Sequence, residues 1–254
     1  MPTLQAALEA TVTYRFLRRY REAADEARHG IGIAPDQIGA VYQGALNYVL
    51  WDGATDNARS LLESAPSMES PRIDYMSYLL DLYDRRPESV MARLREASIE
   101  AYSFQDWYIP RGLLECSCLS EMDEKQAAEA ACVSAVELLE REIVARPHDH
   151  RLHSALGHTF ALLERSEEAV RAGEKAVELM PIVKDALAGS DQAIELAKIY
   201  TRVGRFGNAM DLIEELLSIP CNLSVGLLSL DPVWDPLRDH PRFQALFEEY
   251  DTAN

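Results

Sequence analysis

The chain has 254 residues, 48% of them hydrophobic and 26% charged, with 25 Lys plus Arg against 42 Asp plus Glu for a formal net charge of -17. Enough apolar surface is present to bury a sizeable core, which excludes a disordered chain, and the acidity opposes a phosphate backbone, which excludes nucleic acid as a favoured partner. No apolar run approaches the roughly 20 residues that a bilayer span needs, and the opening MPTLQAALEATVTYRFLRRY lacks the charged-then-apolar order of a signal peptide. The expectation is therefore no membrane insertion and a cytoplasmic protein.

Along the chain, an alanine in a helical-hairpin context recurs at Ala23, Ala58, Ala92, Ala128, Ala169 and Ala209. A period near 34 residues with two amphipathic helices per unit is the signature of tetratricopeptide (TPR) repeats. Residues 4–37 supply Tyr14, Tyr20, Ala23, Ala27 and Pro35; residues 39–72 supply Tyr42, Gly53, Ala58, Leu62 and Pro71. Residues 73–106 supply Met76, Leu79, Tyr83, Ala92 and Ile99, with Pro87 suited to the first turn of a second helix. Residues 107–149 predict a longer hairpin whose second helix, DEKQAAEAACVSAVELLEREIVARP, runs to Pro147. The repeat is clearest over 150–183, where Leu156, Gly157, Phe160, Ala169, Ala176 and Pro181 resemble the consensus places, and over 190–223, with Leu196, Ala197, Tyr200, Gly204, Phe206, Ala209 and Pro220. Small residues let paired helices approach closely, so Ala169 is predicted in the closest helix contact of the clearest repeat. Residues 224–254 break the period with Pro232, Pro236 and Pro241 and predict a terminal cap that turns Trp234, Leu237, Phe243 and Leu246 inward over the final hairpin. The predicted fold is one all-α, right-handed α-solenoid of about six TPR-like hairpins with a C-terminal cap and no sheet.

Other motifs carry less. Cys116, Cys118, Cys132 and Cys221 are neither dense enough for a disulfide scaffold nor spaced as zinc pairs, which predicts buried thiols. The cluster His148, His150, His153 and His158 reads as packing and surface rather than a metal site, because only Asp149 stands near enough to complete a shell. HGIGIAPD reads as a helix end, since neither the strand nor the third glycine of a dinucleotide loop is present. No HExxH, GxSxG or P-loop occurs, so no enzyme activity, metal or cofactor is expected.

LLSIPCNLSVGLLSLDPVWDPLRDHPRFQALFEEY and RPHDHRLHSALGHTFALLERSEEAVRAGEKAVELMPIVKDAL resemble the C-terminal TPR region of bacterial multidomain signalling regulators, which carry a kinase, adenylate cyclase or winged-helix domain ahead of it. The resemblance spans about residues 40 to 250 and is sharp after Arg146. It implies a protein- or peptide-binding module, or alternatively a scaffold that self-associates as a homodimer. Relatives tethered behind a membrane helix would present the region outside the cytoplasm. The family's groove places fall on Arg15, Gln43, Asn47, Trp51, Asp81, Asp84, Arg85, Arg151, His158, Lys198 and Arg202, a mixed-sign set that disfavours a uniformly charged ligand.

Overall fold

The computed structural model describes residues 3–65 and 70–250. In chain order it contains α1 (Leu4–Phe16), α2 (Tyr20–Ile33), α3 (Ile38–Asp52), α4 (Asp56–Ser64), α5 (Pro71–Tyr83) and α6 (Pro87–Glu96). Two short strands, β1 (Ala101–Ser103) and β2 (Tyr108–Pro110), precede α7 (Arg111–Glu121), α8 (Lys125–Ala145), α9 (His150–Leu162), α10 (Ser166–Leu179), α11 (Ala186–Arg202) and α12 (Phe206–Ser218). The chain ends in α13 (Val225–Leu230), a 3₁₀ turn at Pro232–Leu237, and α14 (Pro241–Tyr250).

The architecture is all-α and repetitive, and one local device recurs through it. Six of the connections between successive helices hold Arg18, Gly53, Arg85, Asp123, Glu164 and Gly204, each in the left-handed backbone region with φ between 55° and 76°. Within each unit a left-handed residue ends the first helix of a hairpin, and glycine supplies that conformation without strain at Gly53 and Gly204. Side-chain caps start several helices: Thr3, Ser70, Asp149, Asp185 and Ser224 each accept backbone N–H bonds from the first turn that follows.

The chain divides into two compact units. The first comprises Met1–Arg85, Leu217–Pro232 and His240–Asn254. Within it α1 packs on α2 and α3, α3 on α4 and α5, and α13 on α3 and α14. Phe243 and Leu246 are buried in this unit, and Trp234 and Leu237, which belong to the second, are buried there, so all four turn inward as predicted. That reading did not assign α13 its partner α3: the Ser224 hydroxyl donates to the Leu50 carbonyl at 2.6 Å, and the Arg18 guanidinium donates to the Ile219 carbonyl at 3.0 Å.

The second unit comprises Arg86–Leu216 and Val233–Asp239. Here α7 pairs with α8 and α9 with α10, while α9 also packs against α7, α8 and α11. A Cβ added at Gly157 would stand 3.0 Å from the Ala169 carbonyl oxygen and 2.7 Å from Ile199 Cδ1, so α9 and α10 meet where small residues predict it, and Ala169 is fully buried there.

Two sequence expectations are corrected in this unit. A β-ribbon is present, β1 pairing antiparallel with β2 so that Tyr102 faces Ile109, and β2 packs on α7, α8 and α9. Its aromatic and β-branched residues suit a pleated surface, but three-residue strands are too short to leave an alternating pattern in sequence. The expectation of four thiols also fails, because Cys116 and Cys132 form a disulfide between α7 and α8, leaving Cys118 and Cys221 as buried thiols.

Candidate functional site

The predicted groove residues separate into two groups with different surroundings. In the first unit, packing has absorbed much of the set. Arg15 on α1 is 3% exposed and donates to the Gln43 Oε1 on α3, while Asn47 is fully buried and donates to the Tyr20 carbonyl at 3.1 Å. Asp81 is 2% exposed and bonded at 3.0 Å to Arg59, which reaches across from α4 and also pairs with Asp84. The Thr55 hydroxyl donates to Asp84 Oδ1 at 2.6 Å. Burial therefore removes Arg15, Asn47 and Asp81 from any open surface, a correction to their groove assignment. Their polar groups take internal partners because an unpaired buried charge or amide is costly. Trp51 is half-buried and stacks on Tyr48 with ring centroids 6.4 Å apart, and Arg85 is exposed in its hairpin turn.

In the second unit the set converges on two neighbouring helices. Arg151 and His158 lie seven residues apart on α9, and Lys198 and Arg202 four apart on α11, spacings that keep each pair on one helix face. His158 Nε2 stands 2.7 Å from Glu195 Oε2, and Lys198 Nζ stands 3.1 Å from Glu195 Oε1, so one carboxylate ties both helices together. Arg151 is held differently. Its guanidinium meets Asp149 at 2.8 and 2.7 Å and donates to the Phe104 carbonyl at the tip of the ribbon. Gln192, one turn before Glu195, donates to the Asp106 carbonyl of the same tip at 3.3 Å. The ribbon tip thus rests on the N-terminal half of this face. Of the four predicted residues here, Arg202 alone is exposed; Lys198, His158 and Arg151 keep a part of their side chains open to solvent.

Glu195, Gln192 and Asp149 were not among the groove residues predicted from sequence. Glu195 had a signal, three residues before Lys198 on the same face; the ribbon contact of Gln192 had none.

Electrostatics sharpen the picture. Burial pushes the Glu195 carboxyl up, but the Lys198 charge and the His158 bond outweigh it and hold the group at about 2, below its ordinary 4.5. Burial likewise opposes ionisation of Asp149, and its bonds and charge pairing with Arg151 prevail, lowering it. Because the folded value of Glu195 lies below the unfolded one, its stabilisation is complete above about pH 4.5 and is lost as pH falls toward 2, by as much as about 3 kcal/mol. Denaturation midpoints at pH 6 and pH 3 should therefore fall less in Glu195→Gln than in the wild type. An equal fall in both proteins would dissociate Glu195 from acid stability.

Among the described residues, no cluster of three or more His, Cys, Asp or Glu is arranged to hold a metal ion, and no helix is long and apolar enough to cross a membrane. His153 of the histidine-rich stretch engages the Pro147 carbonyl at 2.9 Å.

The helix pairs define the class: a TPR-like helical-repeat protein, a description that rests on the hairpins themselves. No protein-family model and no curated protein matches the chain. A solved structure similar to it is that of PilW, described as a widely conserved type IV pilus biogenesis factor, at 19% identity and a TM-score of 0.47 over 85% of this chain and 92% of that one.

Proposed function

We propose that this chain is a non-catalytic protein-interaction module that holds a peptide segment of a partner on the α9–α11 face, with Lys198 and Arg202 as its principal contacts. The observation that carries this reading is the juxtaposition of His158, Lys198 and Arg202 on two adjacent first helices, the place where stacked hairpins offer a continuous ligand surface. Glu195 supplies an acceptor among these donors, so the face suits a peptide of mixed polarity. Gln43, Trp51, Asp84 and Arg85 of the first unit remain candidate contacts, with Trp51 the natural anchor because buried aromatics dominate interface energies. The setting we infer is a bacterial signalling or regulatory system, supported by the resemblance of residues 146–250 to the TPR regions of such regulators.

Affinity capture from the source cell with wild-type bait identifies the partner. Lys198→Glu combined with Arg202→Glu should then weaken the purified complex by about tenfold or more, while helicity is retained. Arg151 is left intact because its bonds hold the ribbon. Undiminished affinity in the double variant would place the interface elsewhere. A mass that doubles with concentration in light scattering, with no foreign partner captured, would favour the self-associating scaffold.

A further inference from the structure

We infer that the Cys116–Cys132 bond is a permanent staple installed by thiol–disulfide exchange, and that the protein works in an oxidising compartment. The inference is independent of the binding-surface reading. The bond joins the two helices of one hairpin, sixteen residues apart in sequence, with Cα atoms 5.2 Å apart. Both half-cystines are buried, at 1% and 0% exposure, and Ala128, Leu119, Ala131, Leu162 and Leu163 pack around them. A soluble thiol reaches the sulfur atoms only if α7 and α8 separate. Attack from within is also blocked, because exchange needs a thiolate and burial pushes the neighbouring Cys118 thiol up to about 12. The other thiol, Cys221, is buried too. The site therefore lacks the exposed, low-pKa cysteine of a redox relay and has the shielding of a structural cross-link.

The chemistry then constrains the compartment. Closing the bond removes two protons and two electrons from the Cys116 and Cys132 thiols; a disulfide-bearing oxidant accepts them and leaves as a dithiol. Cytosolic thiol pools run that exchange toward the reduced side, whereas exported proteins meet such oxidants as they fold. This replaces the cytoplasmic expectation drawn from sequence and agrees with the tethered arrangement in which the repeat region lies outside the cytoplasm.

The test uses the full protein from the cells that make it, with thiols trapped in acid, the chain denatured and alkylated with N-ethylmaleimide, and the mass measured before and after reduction. Of the four cysteines, Cys118 and Cys221 alone should be modified before reduction and all four after it. Four adducts before reduction would overturn the staple. Native protein incubated with dithiothreitol should keep the bond for as long as the fold persists, and Cys118→Ala should leave it unchanged; rapid reduction of the folded protein would refute permanence. Fractionation of the cells decides the compartment, and a cross-linked protein found in the reducing cytoplasm would overturn that half of the inference.

Discussion

Truncation after Pro220 is expected to unfold the first unit and drive the protein into aggregates. From the first unit the lost segment takes Leu223, Leu227, Leu228, Phe243 and Leu246, all buried, and from the second Trp234 and Leu237. At about 1.5–3 kcal/mol for each large apolar side chain, the gross loss to the first unit is on the order of 8–15 kcal/mol, as large as the whole net stability of an ordinary domain. The exposed underside includes the C-terminal end of α3, where the Leu50 carbonyl would lose the Ser224 hydroxyl as donor. Size-exclusion chromatography with light scattering reads the outcome. A truncated chain that remains monomeric with an unchanged denaturation midpoint would show that α13 and α14 are accessories to the fold.

Gly189→Ala should be the most damaging single exchange among the glycines of the second unit. A methyl group there would stand 2.6 Å from both the nitrogen and the Cα of Ile182 and 2.7 Å from the Pro181 carbonyl carbon. All three are backbone atoms, and their segment is pinned where the Lys184 N–H donates to the Pro181 carbonyl at 2.9 Å. Alanine gains about 1 kcal/mol of helix propensity over glycine, but forced overpacking costs about 1–3 kcal/mol where something can yield, and here no flexible side chain can. With the cost at the upper end of that range, we expect a net loss of about 2 kcal/mol. Gly207→Ala is the control, since its helix position has nothing within 4 Å of the added methyl and should be neutral or stabilised by up to about 1 kcal/mol. Similar denaturation midpoints for the two variants would contradict the close approach at Gly189.

What could be read in the sequence was what is local and periodic. The recurring small residues located the hairpins, and Gly157 with Ala169 located a close contact of α9 with α10, because helix pairing needs small side chains at fixed offsets. The left-handed turn residues were hidden wherever Arg18, Arg85, Asp123 and Glu164 take a conformation that glycine would have advertised. Pairing of Cys116 with Cys132 was invisible because sequence spacing does not say which faces of two helices meet. The burial of three groove residues was hidden for a related reason. Register placed Arg15, Asn47 and Asp81 correctly on first helices, yet whether a polar side chain there meets solvent depends on partners such as Arg59 and the Tyr20 carbonyl. Arg151 kept its place but met the ribbon tip, a contact made by residues 47 positions away.

The Ser224–Leu50 hydrogen bond joins residues 174 positions apart, and it belongs to a unit of three segments, the first and second of which are separated in the chain by most of the other unit. A ribosome delivers α1 to α5 first, then the complete α7–α11 stack, and only afterwards the segment that seals α3. In vectorial synthesis neither unit is whole until the last forty residues are made: α3 waits for Ser224, and the second unit waits for Val233–Asp239.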